Sequence, residues 1–189
     1  MRALDIILMR TFYNIIIRLL AKFRLLCYVY ITKKEVNIHG FVDLHTHSDA
    51  SDGSFTPAHL VHLAKEAGLC AIALTDHDTT AGIADAVDAG KELGVEVIPG
   101  IEVSGNYEGH EIHILGLFIN PDDPELKAFL KDMRSRRNRR NEEMFRRLAA
   151  DGISFTDEEL FGSNPQTVIT RAHVARAMVQ EGVLFFCVN

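Results

Sequence analysis

Two histidines and a nearby carboxylate in one short segment could bind a metal ion. The segment VDLHTHSDASDG places His45 and His47 two residues apart and Asp52 five residues after His47. Side chains two apart on a β-strand point to the same face, so the two imidazoles can converge. The Ser, Asp and Gly residues that follow can turn the chain and bring Asp52 back toward them. Because imidazole and carboxylate are common ligands of divalent metals, the segment predicts part of a metal site.

Three later segments place further metal-binding side chains at or near the ends of predicted strands. ALTDHDTT contains His77, PGIEVS contains Glu102, and HEIHILG contains His113. Functional side chains gather at the carboxyl ends of parallel strands in α/β folds. The predicted ligands are therefore His45, His47, Asp52, His77, Glu102 and His113.

Single members of this set also have simpler explanations. A lone histidine at a strand end is more often a satisfied polar residue than a ligand, so the prediction depends on the whole set. Asp76 is interpreted as a residue that orients His77, and Asp78 as a cap of the following helix. Four other histidines are not assigned to the site: His39, His59, His62 and His110.

Alternating strands and helices must position these ligands. Residues 41–44 predict a short buried strand, and Thr56-Pro57 is a typical helix start. Strand, helix, strand, helix, strand predicts parallel βαβ units. The predicted strands are 41–44, 71–74, 95–103 with a break at Pro99-Gly100, and 111–119; the predicted helices are 56–67, 80–93, 125–150 and 171–180.

Composition and charge limit the classes of function. The chain of 189 residues has a net charge of −6, and its three cysteines are widely spaced, as in a reduced cytoplasmic protein. Residues 35–133 hold four Lys or Arg against eighteen acids, whereas residues 134–147 hold seven arginines against two acids. An acidic body with one arginine cluster argues against duplex-DNA binding and favours a cation site beside an anion-binding surface.

Residues 1–39 differ from the rest, because they are basic and apolar. Charged residues interrupt the apolar run, so neither a membrane-spanning helix nor a signal peptide is predicted. Two interpretations stay open: an interfacial amphipathic helix, which would suit a membrane-associated regulatory protein, and upstream sequence translated from a misassigned start codon.

The motifs VDLHTHSDASDG, ALTDHDTT, IPGIEVS and EIHILGL together resemble the PHP (polymerase and histidinol phosphatase) superfamily. The chain is most similar to its group of nucleoside 3′,5′-bisphosphate phosphatases that are also 5′-to-3′ exoribonucleases. The resemblance runs from about residue 41 to 181. It implies an α/β fold, namely part of a distorted (β/α)₇ TIM-like barrel at residues 40–120 with an inserted helical subdomain at 121–189.

The same resemblance implies up to three metal ions and a phosphoesterase reaction. By position, His45, His47 and Glu102 would hold the first metal, Glu102 and His113 the second, and Asp52 and His77 the third. The expected metals are Mn²⁺ first, then Zn²⁺, Fe²⁺ or Mg²⁺. Metal-activated hydroxide would attack phosphorus in a phosphorylated nucleotide or a short single-stranded RNA.

The arginine-rich helix has two interpretations. Its arginines could form a solvated face, or Arg137 and Arg140, three residues apart, could contact a phosphate or a base. Arg171 and His173 begin the next helix and could bind phosphate in the same way, helped by the positive end of the helix. Contact with a second phosphate would select a bisphosphate.

The family pattern continues beyond this chain. A His-Pro motif and a later Asp-x-His supply one further ligand to each metal, and Asn189 precedes both; residues 183–189 are apolar instead. A truncated, catalytically weak or inactive metal-binding fragment is therefore the alternative hypothesis.

Overall fold

The computed structural model describes residues 40–162, 164 and 166–182, which belong to one compact unit. The predictions made for residues 1–39, which include His39, and for residues 183–189 lie outside the described residues. Among the described helices, none is both long and apolar enough to cross a membrane.

A four-stranded sheet with the order β1-β2-β3-β4 supports the unit. The strands are β1 Phe41–Thr46, β2 Leu69–Leu74, β3 Glu96–Tyr107 and β4 His110–Leu117. The β1–β2 and β2–β3 pairs are parallel, which confirms the predicted βαβ units, and β3–β4 is an antiparallel hairpin. The hairpin is a feature that the strand–helix alternation did not predict.

Strand β3 is continuous where the sequence predicted a break. Its ladder with β2 ends at Pro99, and its ladder with β4 begins at Gly100. A Cβ at Gly100 would lie 2.7 Å from Thr75 Cγ2, so only glycine fits beside the end of β2. The Pro-Gly pair therefore marks a change of partner strand.

Two short helices cover the sheet. Helix α1, Pro57–Glu66, begins after Thr56, whose side chain accepts a hydrogen bond from His59 N. Helix α2, Ile83–Leu93, starts three residues later than predicted and ends at Gly94 with φ 70°. Their apolar faces and strand β2 form the main core: Val61, Ala64, Ile72, Leu74, Ile83, Ala86, Ala89 and Val95.

Strand β1 is exposed, in contrast to the prediction of a buried strand. Phe41 is 81% exposed, and Val42 and Leu44 are also exposed. The physical reason is its position at the edge of the sheet, where β2 is its only strand partner among the described residues. Apolar composition predicted burial, but burial depends on a neighbour that composition does not reveal.

Three further helices follow the sheet. Helix α3, Pro124–Ala150, begins at Asp123, whose side chain accepts hydrogen bonds from two backbone N–H groups of the first turn. Helix α4, Asp157–Phe161, was not predicted, and helix α5, Arg171–Gln180, has the predicted bounds. The end of α3 packs with α4 and α5 around a second core of Leu160, Ile169, Val174 and Ala177.

Removal of a β2 core side chain should show how much the fold depends on this strand. Ile72 is 1% exposed, so we expect Ile72→Ala to lower the free energy of unfolding by about 2–5 kcal/mol. Ile112→Ala, at an exposed position of β4, should cost about 1 kcal/mol or less. Urea unfolding followed by circular dichroism measures both; equal losses would show that β2 is not the centre of the core.

Candidate metal centre

The carboxylate of Glu102 lies where four imidazoles meet. His45 Nε2 and His47 Nε2 are each 3.0 Å from Glu102 Oε2. His77 Nδ1 is 3.5 Å from the same oxygen, and His113 Nδ1 is 2.6 Å from Oε1. Glu102 is 4% exposed, whereas His45 and His113 reach the surface. The four histidines therefore surround one buried negative charge.

The surroundings of Glu102 favour its ionised form. Burial by itself raises the pKa of this carboxyl. The hydrogen bond with His45, attraction to His77 in its protonated form and the hydrogen bond with His113 outweigh that effect, so its pKa lies below the ordinary value for glutamate. An ionised carboxylate is the form that binds a metal.

Asp52 forms a second centre of contacts on the other side of His47 and His77. Its Oδ1 lies 3.5 Å from His47 Nδ1, and its Oδ2 lies 3.5 Å from His77 Nε2. The two histidine rings are 4.7 Å apart. Asp52 and Glu102 thus approach His77 from its two ring nitrogens.

The candidate ligands form three overlapping groups whose ligand atoms lie within 4.8 Å of one another. These are His45, His47 and Glu102; His47, Asp52 and His77; and His77, Glu102 and His113. The six residues predicted from sequence are therefore brought together, with Glu102 shared by two groups. His47 and His77 are also shared, which the sequence did not indicate.

The donor set fits divalent metal ions. His77 Nδ1 is buried and has no hydrogen-bond partner among the described residues. Burial lowers the pKa of His77, although Asp52 and Glu102 oppose the effect, so the neutral imidazole is favoured over its protonated form more than in an ordinary histidine. A neutral, buried nitrogen beside a carboxylate is a suitable ligand for a first-row metal.

Strand pairing and a tight turn hold these ligands in place. Asp78 N donates to Glu102 O at 3.0 Å and Glu102 N donates to Asp76 O at 3.2 Å, so the segment after β2 stays beside β3. In the turn after β1, Gly53 N donates to Ser48 O at 2.9 Å. A Cβ on Gly53 would lie 2.0 Å from His47 O, so glycine allows the turn to close.

Asp76 supports the turn rather than His77. Its carboxylate accepts hydrogen bonds from Ser48 N at 2.7 Å, Ser48 Oγ at 2.6 Å and Ser51 Oγ at 2.6 Å. Ser51 Oγ lies 3.3 Å from His47 Nδ1, so the network reaches the metal centre at His47. Burial raises the pKa of Asp76, and the hydrogen bonds from Ser48 and Ser51 counter it. The sequence analysis assigned Asp76 to His77, whereas its hydrogen bonds lead through Ser51 to His47.

The start of α5 contacts the Asp52 turn. Thr170 Oγ1 donates to Asp52 Oδ2 at 3.1 Å, and Arg176 donates to Asp52 O at 2.7 Å. Thr170 also caps α5, and His173 Nδ1 accepts a hydrogen bond from Thr170 N at 3.1 Å. His173 thus completes a capping box at the helix start. The sequence analysis predicted phosphate binding by His173 and did not predict this cap.

Asp78 and Arg137 form a buried ion pair that the sequence analysis missed. Asp78 has φ 53° and the helix N-cap is Gly82, so the prediction of Asp78 as a cap was wrong. Arg137 donates to Asp78 Oδ2 through Nε at 3.0 Å and also through Nη2, and Arg137 Nη2 donates to Ser104 Oγ at 2.8 Å. The interval of 59 residues gave no signal for this pair.

A cavity of about 350 Å³ opens beside the histidines. Arginines and carboxylates dominate its wall, and Glu111 lies between Arg140 and Arg171. The hydrogen bond from Arg171 lowers the pKa of Glu111, and burial lowers that of Arg140. The lining residues are Asp52, His77, Ser104, Glu111, His113, Arg137, Arg140, Thr170, Arg171 and Ala172. Of the four substrate-binding residues predicted from sequence, three line this cavity, and His173 does not.

A family sequence model and individual related proteins point to the same protein family. Residues 43–147 match the sequence model of the PHP domain. A 5′-3′ exoribonuclease of Haemophilus influenzae is 42% identical over 142 residues, which are 74% of this chain and 51% of that protein. A 3′,5′-nucleoside bisphosphate phosphatase of Chromobacterium violaceum is 39% identical over 145 residues, with coverages of 76% and 50%.

A solved structure agrees with these relatives. The chain superposes on a candidate metal-dependent phosphoesterase of Bifidobacterium adolescentis with a TM-score of 0.70 and 34% identity, covering 76% of this chain and 51% of the other. The chain thus spans about half the length of the proteins it matches.

An added methyl group at Gly53 should disturb the metal centre. Gly53→Ala would push the turn away from His47 O and separate Asp52 from His47. We expect the affinity for Mn²⁺ to fall about tenfold or more, as it does when supporting contacts of ligands are lost. Calorimetric titration measures this. Gly105→Ala is the matched control and should bind Mn²⁺ normally, because its Cβ would meet the flexible Ile112 side chain at 3.3 Å and Ile112 O at an ordinary contact distance of 3.7 Å.

The Asp78–Arg137 pair should contribute to stability more than an exposed pair does. Asp78→Ala leaves Arg137 buried without its carboxylate, so we expect a loss of about 3–5 kcal/mol in the free energy of unfolding. Asp132→Ala breaks the exposed pair with Arg136 and should cost about 1 kcal/mol or less. A similar small loss in both variants, measured by urea unfolding, would contradict the structural role of Arg137.

Proposed function

The chain belongs to the PHP domain family, and on that basis we propose that it is a metal-dependent phosphoesterase acting on phosphorylated nucleotides. The substrate would be a nucleoside 3′,5′-bisphosphate or a short single-stranded RNA. The observation that carries this proposal is the position of the histidine cluster beside an arginine-lined cavity.

Three metal ions would find ligands in the three groups around Glu102 and Asp52. His45, His47 and Glu102 would hold the first, Glu102 and His113 the second with His77 nearby, and Asp52 and His77 the third with His47 nearby. Such ions activate water and neutralise phosphate charge when they are bound. The proposed metals are Mn²⁺ first, then Zn²⁺, Fe²⁺ or Mg²⁺; mixed imidazole and carboxylate ligands suit the first three of these about equally.

The protein's own groups would bind and orient the substrate. Arg140 and Arg171 are on the wall of the cavity and carry guanidinium donors suited to phosphate oxygens. The three arginines have different partners. Arg137 is bound by Asp78 and Ser104. Arg140 and Arg171 face the exposed Glu111 instead. Arg137 would therefore contribute charge to the cavity and fix its wall.

Hydrogen-bonded groups would keep the ligands in the required form. Asp76 holds the serines that support the turn carrying Asp52. Thr170 and Arg176 fix that turn from α5, and His173 acts through the cap of this helix. His173 would thus position Thr170 and reach the substrate only indirectly.

The proposal extends to architecture and location. Three parallel strands, the last of which forms a hairpin with β4, suit the first part of a distorted (β/α)₇ barrel, and helices α3, α4 and α5 would belong to its helical insertion. A cytoplasmic location goes with this function, because widely spaced cysteines suit a reducing compartment.

Release of phosphate from adenosine 3′,5′-bisphosphate tests the proposed function. With Mn²⁺ we expect turnover by the full chain, and we expect His47→Ala to reduce it at least a hundredfold, because His47 contacts both carboxylates of the centre. His62→Ala removes an exposed histidine of α1 and should leave the rate unchanged. The absence of both metal uptake and turnover in a folded sample would refute the proposal for this chain.

A further inference from the structure

Glu111 connects the arginines of the cavity with the histidine cluster. Its Oε2 accepts a hydrogen bond from Arg171 Nη1, and its Oε1 lies 3.7 Å from Arg140 Nη1. The same Oε1 is 3.5 Å from His113 Nε2. One carboxylate therefore contacts two guanidinium groups and one candidate metal ligand.

The Glu111 contacts are exposed, in contrast to the other ion pair of the cavity. The side chains of Arg171 and Glu111 are 62% and 35% exposed, whereas those of Arg137 and Asp78 are 7% and 1% exposed. Water and salt screen an exposed pair, but separation of a buried pair leaves a charge without compensation. An incoming anion can therefore replace Glu111 far more easily than it can replace Asp78.

Arg140 has hydrogen-bonding capacity that Glu111 does not use. Its Nε is buried and has no hydrogen-bond partner within the described part of the chain. Its Nη2 is 3.5 Å from Asn141 Oδ1, at the limit of a hydrogen bond, and its contact with Glu111 is longer still. A phosphate group offers three acceptor oxygens and matches guanidinium donors in pairs. It can satisfy Arg140 and Arg171 more fully than one shared carboxylate.

We infer that Glu111 is a specificity-determining residue that occupies Arg140 and Arg171 until a substrate phosphate replaces it. This inference rests on the proposed function, because the phosphate meant is the one that is not hydrolysed at the histidine cluster. Glu111 sets a threshold: a weakly held anion leaves the arginines paired, whereas a phosphate tethered to a nucleotide already bound at the histidines displaces the carboxylate. The second phosphate of a bisphosphate is such a group.

Titration of the metal-free full chain with inorganic phosphate in EDTA tests this competition. Glu111→Gln keeps the shape of the side chain and removes its charge, so we expect phosphate to bind about three- to fivefold tighter than to the unchanged protein. That gain corresponds to the release of an exposed ion pair. Glu96→Gln, the same change at an exposed position at the start of β3, should leave the phosphate affinity unchanged.

A second background separates direct competition from a general charge effect. In Arg171→Gln protein, the gain from Glu111→Gln should shrink to less than half, because the hydrogen-bonded guanidinium is gone. An unchanged or weaker affinity in Glu111→Gln would overturn the inference, as would an equal gain in both backgrounds. Turnover of adenosine 3′,5′-bisphosphate with Mn²⁺ is scored separately, so failure of the proposed function and failure of the competition are distinguishable.

Discussion

A buried carboxylate with four imidazoles around it sets the main constraint on this structure. Glu102 is almost entirely removed from water, and a buried charge is costly unless it is paired or bound to a metal. Its partners come from β1, from the segment after β2 and from β4. The two parallel pairs and the hairpin must therefore all be in register before the charge is compensated, which links the formation of the sheet to the formation of the site.

Most of the strand and helix positions could be predicted because they follow from local chemistry. Thr56-Pro57 begins α1, Gly94 ends α2, and α5 starts at Arg171 as expected. Convergence of four candidate ligands follows from a general property of parallel strands, whose carboxyl ends meet at one edge: these are His45, His47, Asp52 and His77. Glu102 lies within β3 and His113 lies on the antiparallel strand β4, so the hairpin brings these two to the site. The hairpin could not be predicted in this way, because the direction of β4 depends on the turn at Glu108 and Gly109, both with positive φ.

The sequence predicted where side chains lie better than it predicted which side chains pair with one another. Arg137 and Arg140 lie three residues apart on one helix, yet the first is bound to Asp78 and the second has an unpartnered nitrogen within the described structure. Sequence shows the spacing of two arginines but not which one meets a carboxylate from another element. Asp76 illustrates the same point, because its neighbour along the chain is His77 while its hydrogen bonds go to Ser48 and Ser51. Burial and partner choice are decided by packing across elements.

Strand β4 carries a residue that pairs with the cavity arginines and a candidate metal ligand on the same face. Glu111 and His113 are two residues apart, so their side chains point to the same side of the strand. His113 contacts Glu102 through one ring nitrogen and approaches Glu111 through the other. A metal-bound histidine is commonly oriented by a carboxylate at its second nitrogen. If a phosphate replaces Glu111 at its arginines, as inferred above, the contact of Glu111 with His113 would change as well. The hairpin would thus link phosphate recognition to the candidate metal centre through Glu111.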